Sequence, residues 1–253
     1  MQTEFIELAK VIHEQYPVGP IYYIADPGNL GDSLIRAGTI KFFHQIKLDY
    51  YELHLKKNRL YKLITRYLPL VLKGSLIFGG GGGWCHYYEG AARLLKTIAT
   101  SYNQVIVLPS TYELSVNLPN TTFFCRDKYE SKQAMPEAIF CHDMAFVLGT
   151  QPSQKGQGDG FFFRTDKESA GKIDFPLGNI DISLQGNHYT PPRVMFDALS
   201  PYKTISTDRL HVAIAACLLG KETHFYQGGY FKNKAVYLSS MEGVYKNVHF
   251  HDL

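Results

Sequence analysis

The chain has 253 residues, enough for one large domain or two small ones with real cores. At 45% hydrophobic and 19% charged residues it reads as globular, which excludes a disordered chain. A net charge of +3 is too slight to point to nucleic acid, and the 14% of aromatic residues serve as core before they serve as sugar-stacking surface.

Cysteines stand at 85, 125, 141 and 217 with no C-x-x-C pair, as expected of buried, reduced thiols in a cytoplasmic protein. Glu4, Glu7 and Lys10 leave no signal-peptide core at the start. No apolar stretch approaches the roughly 20 residues of a membrane span, so any membrane contact is expected to be peripheral.

In chain order, short apolar runs alternate with helical patterns, the signature of α/β architecture with a largely parallel sheet. A strand at Ile21 to Ile24 leads through a polar turn into a helix from about Asp32 to Gln45. A strand near Tyr50 to Leu55 and a helix from about Asn58 to Leu72 follow. The strand Ser75 to Phe78 runs into five glycines, then come a helix from about Glu89 to Thr100 and a strand at Gln104 to Leu108. Pro109 and the polar segment Glu113 to Asn120 read as a crossing to a second unit. Further strands are expected at 122–125, 138–141, 160–163, 203–206 and 223–226, with a loop at 151–158. The expected division is an N-terminal Rossmann-like domain over 1–115 and a C-terminal one over 116–253, facing a cleft.

The sharpest chemical signal is Thr207-Asp208-Arg209-Leu210-His211 at the start of an alanine-rich helix that Gly220 would stop. Thr207 or Asp208 would cap it, and Leu210, Ala213, Ile214, Cys217 and Leu218 would form its buried stripe, leaving Arg209 and His211 off that face. A guanidinium and an imidazole beside free helical N–H groups suit an anion bearing phosphate and carboxylate. The same pattern also suits an Arg209–Asp208 pair and a His211 packed on the sheet.

The glycine run, with Gly80, Gly81 and Gly82 at its centre, allows a ligand close to the backbone, but matches neither a P-loop nor a G-x-G-x-x-G fingerprint. His86 just beyond it could face a sugar. In the turn Asn29-Leu30-Gly31-Asp32, Asp32 is either a general base or, as the spacing favours, a helix cap. Arg126-Asp127 and His142-Asp143 are charges set directly after apolar strands, and Lys232-Asn233-Lys234 reads as a solvated turn. No metal-ligand spacing and no serine-hydrolase elbow occurs.

Taken in order, these motifs resemble the polysaccharide pyruvyl transferase family. The likeness rests on Asn29 to Asp32, the strand into Gly79 to Gly83, Arg126-Asp127, His142 to Phe146, and above all Arg209-Leu210-His211 with its helix and Gly220-Lys221. Met144 stands where the family's Asp-Pro-Ala-Phe element carries proline, and Lys234 lies near where members carry a lysine. The resemblance implies two domains of the GT-B type and transfer of the pyruvyl group of phosphoenolpyruvate onto hydroxyls of a glycan or lipid-linked oligosaccharide, giving a ketal.

It further implies that Arg126, Arg209 and His211 line the donor site, to which Leu210 and Lys234 are added as candidates. His211 is the expected general acid or phosphate ligand, and Asp32, from the opposite domain, the candidate base. Asn29, Gly80 to Gly82 and His86 would serve the acceptor side. No cofactor or metal is expected, since the arginines supply the cations. Rival readings are a nucleotide-sugar glycosyltransferase and a non-catalytic glycan-binding protein on the same fold.

Overall fold

The computed structural model describes residues 3–15, 19–54, 74–88, 90–169, 171 and 175–252. It divides into two compact units, Met1–Pro27 with Phe42–Asp143, and Gly28–Lys41 with Met144–Leu253. The expected helix at 58–72 lies outside the described residues.

The first unit opens with α1 (Thr3–Gln15), which sequence reading left unassigned and which buries Phe5, Leu8, Val11 and Ile12 on one face. There follow β1 (Ile21–Ile24), the helix α2 (Leu30–Gln45) and β2 (Tyr51–Glu52), and then β3 (Ser75–Phe78), β4 (Gly81–Trp84) and α3 (Gly90–Ile98). The unit ends with β5 (Val105–Tyr112), β6 (Thr121–Cys125), α4 (Glu130–Ala134) and β7 (Ile139–Phe140). The boundary between the units runs through α2, between Lys41 and Phe42.

All seven strands are parallel, in the order β2-β1-β3-β5-β6-β7, with β4 paired to the far half of β5. The runs Ile-Tyr-Tyr-Ile and Ser-Leu-Ile-Phe are buried throughout, as strands of a parallel sheet are. Strand order reverses between β1 and β3, so the crevice beyond their carboxyl ends is the place where such sheets bind ligands. Ala25-Asp26 and the glycine run meet there.

A Cβ on Gly79 would fall 2.5 Å from the Asp26 backbone nitrogen, and one on Gly80 would fall 2.3 Å from the Pro109 carbonyl oxygen. These glycines are required by backbone crowding within the unit. Pro109, with no N–H to offer, marks where β5 changes partner from β3 to β4 and slips register against β6. Three of the five glycines, Gly81 to Gly83, thus lie in a strand. Residue 115 also falls between β5 and β6, which are hydrogen-bonded neighbours, and so the expected division after it crosses one continuous sheet.

In the second unit a 3-10 turn at Met144–Leu148 precedes β8 (Asp159–Phe161), and another, at Ile182–Gln185, precedes α5 (Arg193–Leu199). Then come β9 (Thr204–Thr207), α6 (Leu210–Leu218), β10 (Glu222–Tyr226), α7 (Lys232–Ser240) and β11 (Val248–His251). The sheet is again wholly parallel, ordered β11-β10-β9-β8. The helix α6 packs on β9, β10 and α5, and it is apolar on every side but one: Leu210 and Val212 to Leu218 are all buried. A single buried stripe was too narrow an expectation.

Gly220 ends α6 as expected. Its φ is +69°, its N–H donates to Cys217 O, and Lys221 N–H donates to Ala216 O. That is the six-to-one and five-to-two pattern which closes helices at glycine.

Candidate functional site

The carboxyl ends of β8, β9 and β10 are tied together by the residues just beyond them. Thr207 Oγ1 donates to Phe162 O (2.7 Å) and accepts the Arg209 N–H (2.9 Å). Asp208 Oδ1 accepts the Arg164 N–H (2.8 Å), and Asn233 Nδ2 donates to Asp208 O (2.6 Å) and Tyr226 O (3.0 Å). Neither expected cap operates as one. The N-cap position of α6 is held by Arg209, with no side-chain cap, while Asp208 turns inward. Burial pushes the Asp208 carboxyl up to about 6, although Arg164 and Arg209 pull the other way.

Around this frame lies a charge network, largely buried and most exposed at Asp166. Arg164 grips Asp166 with Nε and Nη2 (2.8 and 3.1 Å) and Glu168 with Nη1. Arg209 Nη2 reaches Asp166 Oδ2 at 2.9 Å and Asp181 Oδ2 at 2.7 Å. Lys232 Nζ sits 2.6 Å from Glu168 Oε2. Asp181 also accepts from Thr165 N and Oγ1 and from Ser183 Oγ. Burial pushes Asp166, Glu168 and Asp181 upward, but their cationic and hydrogen-bonding partners outweigh it and hold all three below the usual carboxylate range. Three cations therefore face three carboxylates. Arg209 Nε is buried with no acceptor among the described residues, a donor left unmet at a cost of about 1–3 kcal/mol.

His211 sits half-buried at the start of α6, against the turn that opens α2. A Cβ on Gly31 would fall 2.8 Å from His211 Nδ1 and 3.1 Å from its Cβ, so only glycine lets the imidazole sit there. Asn29 Oδ1 accepts the Gly31 N–H (2.8 Å) and Asp32 Oδ2 accepts the Asn29 N–H (2.7 Å), a capping box in which the cap side chain takes the N–H one residue earlier than usual. The turn is pinned further where Gly28 exchanges hydrogen bonds with His188 and Asn29 bridges Asn187. Asp32 thus belongs to the same compact unit as His211, not to an opposite one.

The remaining expected residues fall elsewhere. Arg126 is in the first unit, 1% exposed, donating to Thr111 Oγ1 (2.8 Å) and Asp143 Oδ2 (2.7 Å). Its neighbour Asp127 accepts from Tyr129 and Ser131 N–H and fixes the entry to α4. Gly80, Gly81, Gly82 and His86 also lie in the first unit, where the His86 ring meets Glu113 at 2.6 Å. Lys234 pairs with Asp252 at the surface; the lysine that reaches the charge network is Lys232, and 232–234 is the first turn of α7, not a solvated turn.

Sequence reading missed Arg164, Asp166, Glu168 and Asp181. The signal was available, since Arg164-Thr165-Asp166-Lys167-Glu168 follows Phe161-Phe162-Phe163 in the strand-then-charge pattern that pointed to Arg126 and Arg209. All four cysteines are free and buried, and no helix among the described residues is long and apolar enough to cross a membrane.

Comparison with known proteins adds three findings. A family model described as polysaccharide pyruvyl transferase matches residues 29–226. A solved structure of a functionally uncharacterised protein from Klebsiella pneumoniae is 28% identical, covers 99% of each chain and superposes with a TM-score of 0.78. No curated protein matches this chain.

Proposed function

Because the chain belongs to the polysaccharide pyruvyl transferase family, we propose that it moves the pyruvyl group of phosphoenolpyruvate onto hydroxyls of a glycan or glycolipid precursor. The observation that carries this reading is the cluster at the carboxyl ends of β8, β9 and β10. It holds Arg164, Arg209 and Lys232 in a largely buried setting and includes an Arg209 Nε with no partner. Guanidinium groups bind phosphate and carboxylate with forked donors, and buried ones do so with little screening.

In the proposed reaction the methylene carbon of the donor takes a proton and the first acceptor hydroxyl adds at C2. The C2–oxygen bond to phosphate then breaks, phosphate leaving with the electron pair, and a second hydroxyl closes the ketal. Of the two hydroxyl protons, one restores the acid that protonated the methylene carbon and the other goes to the departing phosphate. His211 is the proposed proton donor, being the half-buried imidazole one residue beyond Leu210, at the mouth of α6. Arg209 and Lys232 are the proposed ligands of the anionic groups and stabilise the charge on the leaving phosphate. Asp32 is engaged by its cap, so its proposed part is to fix the turn that carries Gly31 to His211.

A kinetic split tests the assignment of His211. His211→Gln is expected to lower kcat by about 10²–10⁴-fold, the usual worth of a positioned acid, with the KM for phosphoenolpyruvate changed only a few-fold. An equal rise in KM with kcat preserved would make His211 a binding residue only.

A further inference from the structure

The charge network raises a question of occupancy. Phosphoenolpyruvate carries about three negative charges, yet the three cations of the cluster already face three carboxylates. A site with at least as many carboxylates as cations has no excess positive charge to offer a multiply charged anion, unless one carboxylate gives way.

The three are not equivalent. The side chains of Glu168 and Asp181 are each 4% exposed, whereas that of Asp166 is 32% exposed. Asp181 is locked by Thr165 and Ser183 as well as by Arg209. Glu168 is shared by Arg164 and Lys232. Asp166 bridges both guanidinium groups, using one oxygen on Arg164 Nε and the other on Arg164 Nη2 and Arg209 Nη2. Its other side-chain hydrogen bond among the described residues comes from the Glu168 N–H, within its own turn. It is the one carboxylate of the three that solvent reaches, and it sits where two arginines converge. Even so, it leaves Arg209 Nε unmet, as a monodentate ligand would.

We propose that Asp166 is the built-in occupant of the anion subsite formed by Arg164 and Arg209, and that an anionic ligand gains that subsite by displacing it. The identity of the ligand rests on the function proposed above, while the subsite itself is defined by charge. Withdrawal of Asp166 leaves Arg164 on Glu168 and Arg209 on Asp181, so neither arginine is stranded. It also frees the outward edge of both for a phosphate or carboxylate, which can reach Arg209 Nε as well as Nη2.

This makes Asp166 a specificity determinant. A side chain held on a short tether acts at an effective concentration on the order of millimolar. Dilute monoanions therefore fail to compete with it. A small molecule bearing two anionic groups can anchor one group while the other takes the place of Asp166.

Calorimetric titration of inorganic phosphate and of phosphoenolpyruvate, on wild type, Asp166→Asn, Asp166→Ala and Asp166→Asn with Arg209→Ala, tests this. Both single variants are expected to bind inorganic phosphate about tenfold tighter or more than wild type, and the double variant is expected to lose the gain. Unchanged or weaker phosphate binding in the folded single variants overturns the proposal, as does a failure of both to fold, which would make Asp166 structural. Tighter phosphate binding with no response to phosphoenolpyruvate in any protein supports the subsite and counts against the proposed donor. Binding of phosphoenolpyruvate to wild type with no gain on removing Asp166 does the reverse.

Discussion

Asp208 shows how much a single buried carboxyl can carry. It is 2% exposed, joins the end of β8 to the start of α6, and burial pushes its carboxyl up to about 6. The sign of the consequence follows from where the proton sits. Between about pH 4 and 6 the folded chain still holds this proton while the unfolded chain has released it, so the group's contribution falls as pH rises through that window and stays low above it. Asp208→Asn keeps an acceptor for the Arg164 N–H and removes the charge. It is expected to raise the melting temperature by a few degrees near pH 7.5 and to show no advantage near pH 4. A variant less stable than wild type near pH 7.5 would mean that the charged form is needed to hold Arg164 and Arg209.

Arg209 and His211 were legible in the sequence as residues beside a helix start, because an apolar strand followed by charges marks a binding edge whatever the fold. The partners of Arg209 were not, since Asp166 and Asp181 lie 43 and 28 residues away and only tertiary folding brings them to it. Lys232 and Lys234 were separable only with α7 in view: its first turn sends one to Glu168 and the other to Asp252.

Among the elements, the opening of α2 has a defined job. The Asn29–Asp32 capping box sets the turn, and Gly31 within it gives way to His211. Gly31→Ala forces the ring or the turn to move, an overpacking cost of about 1–3 kcal/mol. Its expected signature is loss of turnover out of proportion to the fall in melting temperature. Asn29→Ala, which removes one half of the box, is expected to cost about 1 kcal/mol of stability. If Gly31→Ala kept full turnover, His211 would not need its present seat.

Strands were read more reliably than short helices. Ile21 to Ile24 and Ser75 to Phe78 match their elements, since buried parallel strands are continuous apolar runs. The five-residue α4 and seven-residue α5 offer too little periodicity to register. The run Gly81 to Trp84 forms a strand against propensity because β5 supplies the partner, and within it a Cβ on Gly83 would fall 2.6 Å from Asp26 Oδ2.

At the scale of the whole molecule, the α/β class and parallel sheets were legible from alternation alone, but the division of the chain was not. A Pro109 that looks like a linker sits inside β5, and the segment Gly28–Lys41 belongs to the second unit although the strand before it belongs to the first. Discontinuous units of this kind leave no compositional mark at their boundaries.

The central claim is that the cluster around Arg209 binds phosphoenolpyruvate, and a thermal-shift titration of wild type and Arg209→Ala against phosphoenolpyruvate and nucleotide sugars tests it most directly. A ligand that binds the folded state alone raises stability by about RT ln(1 + [L]/Kd). Stabilisation of the wild type by phosphoenolpyruvate, absent for nucleotide sugars and lost in Arg209→Ala, is the predicted result. Stabilisation by a nucleotide sugar instead, or by phosphoenolpyruvate undiminished in Arg209→Ala, would contradict it.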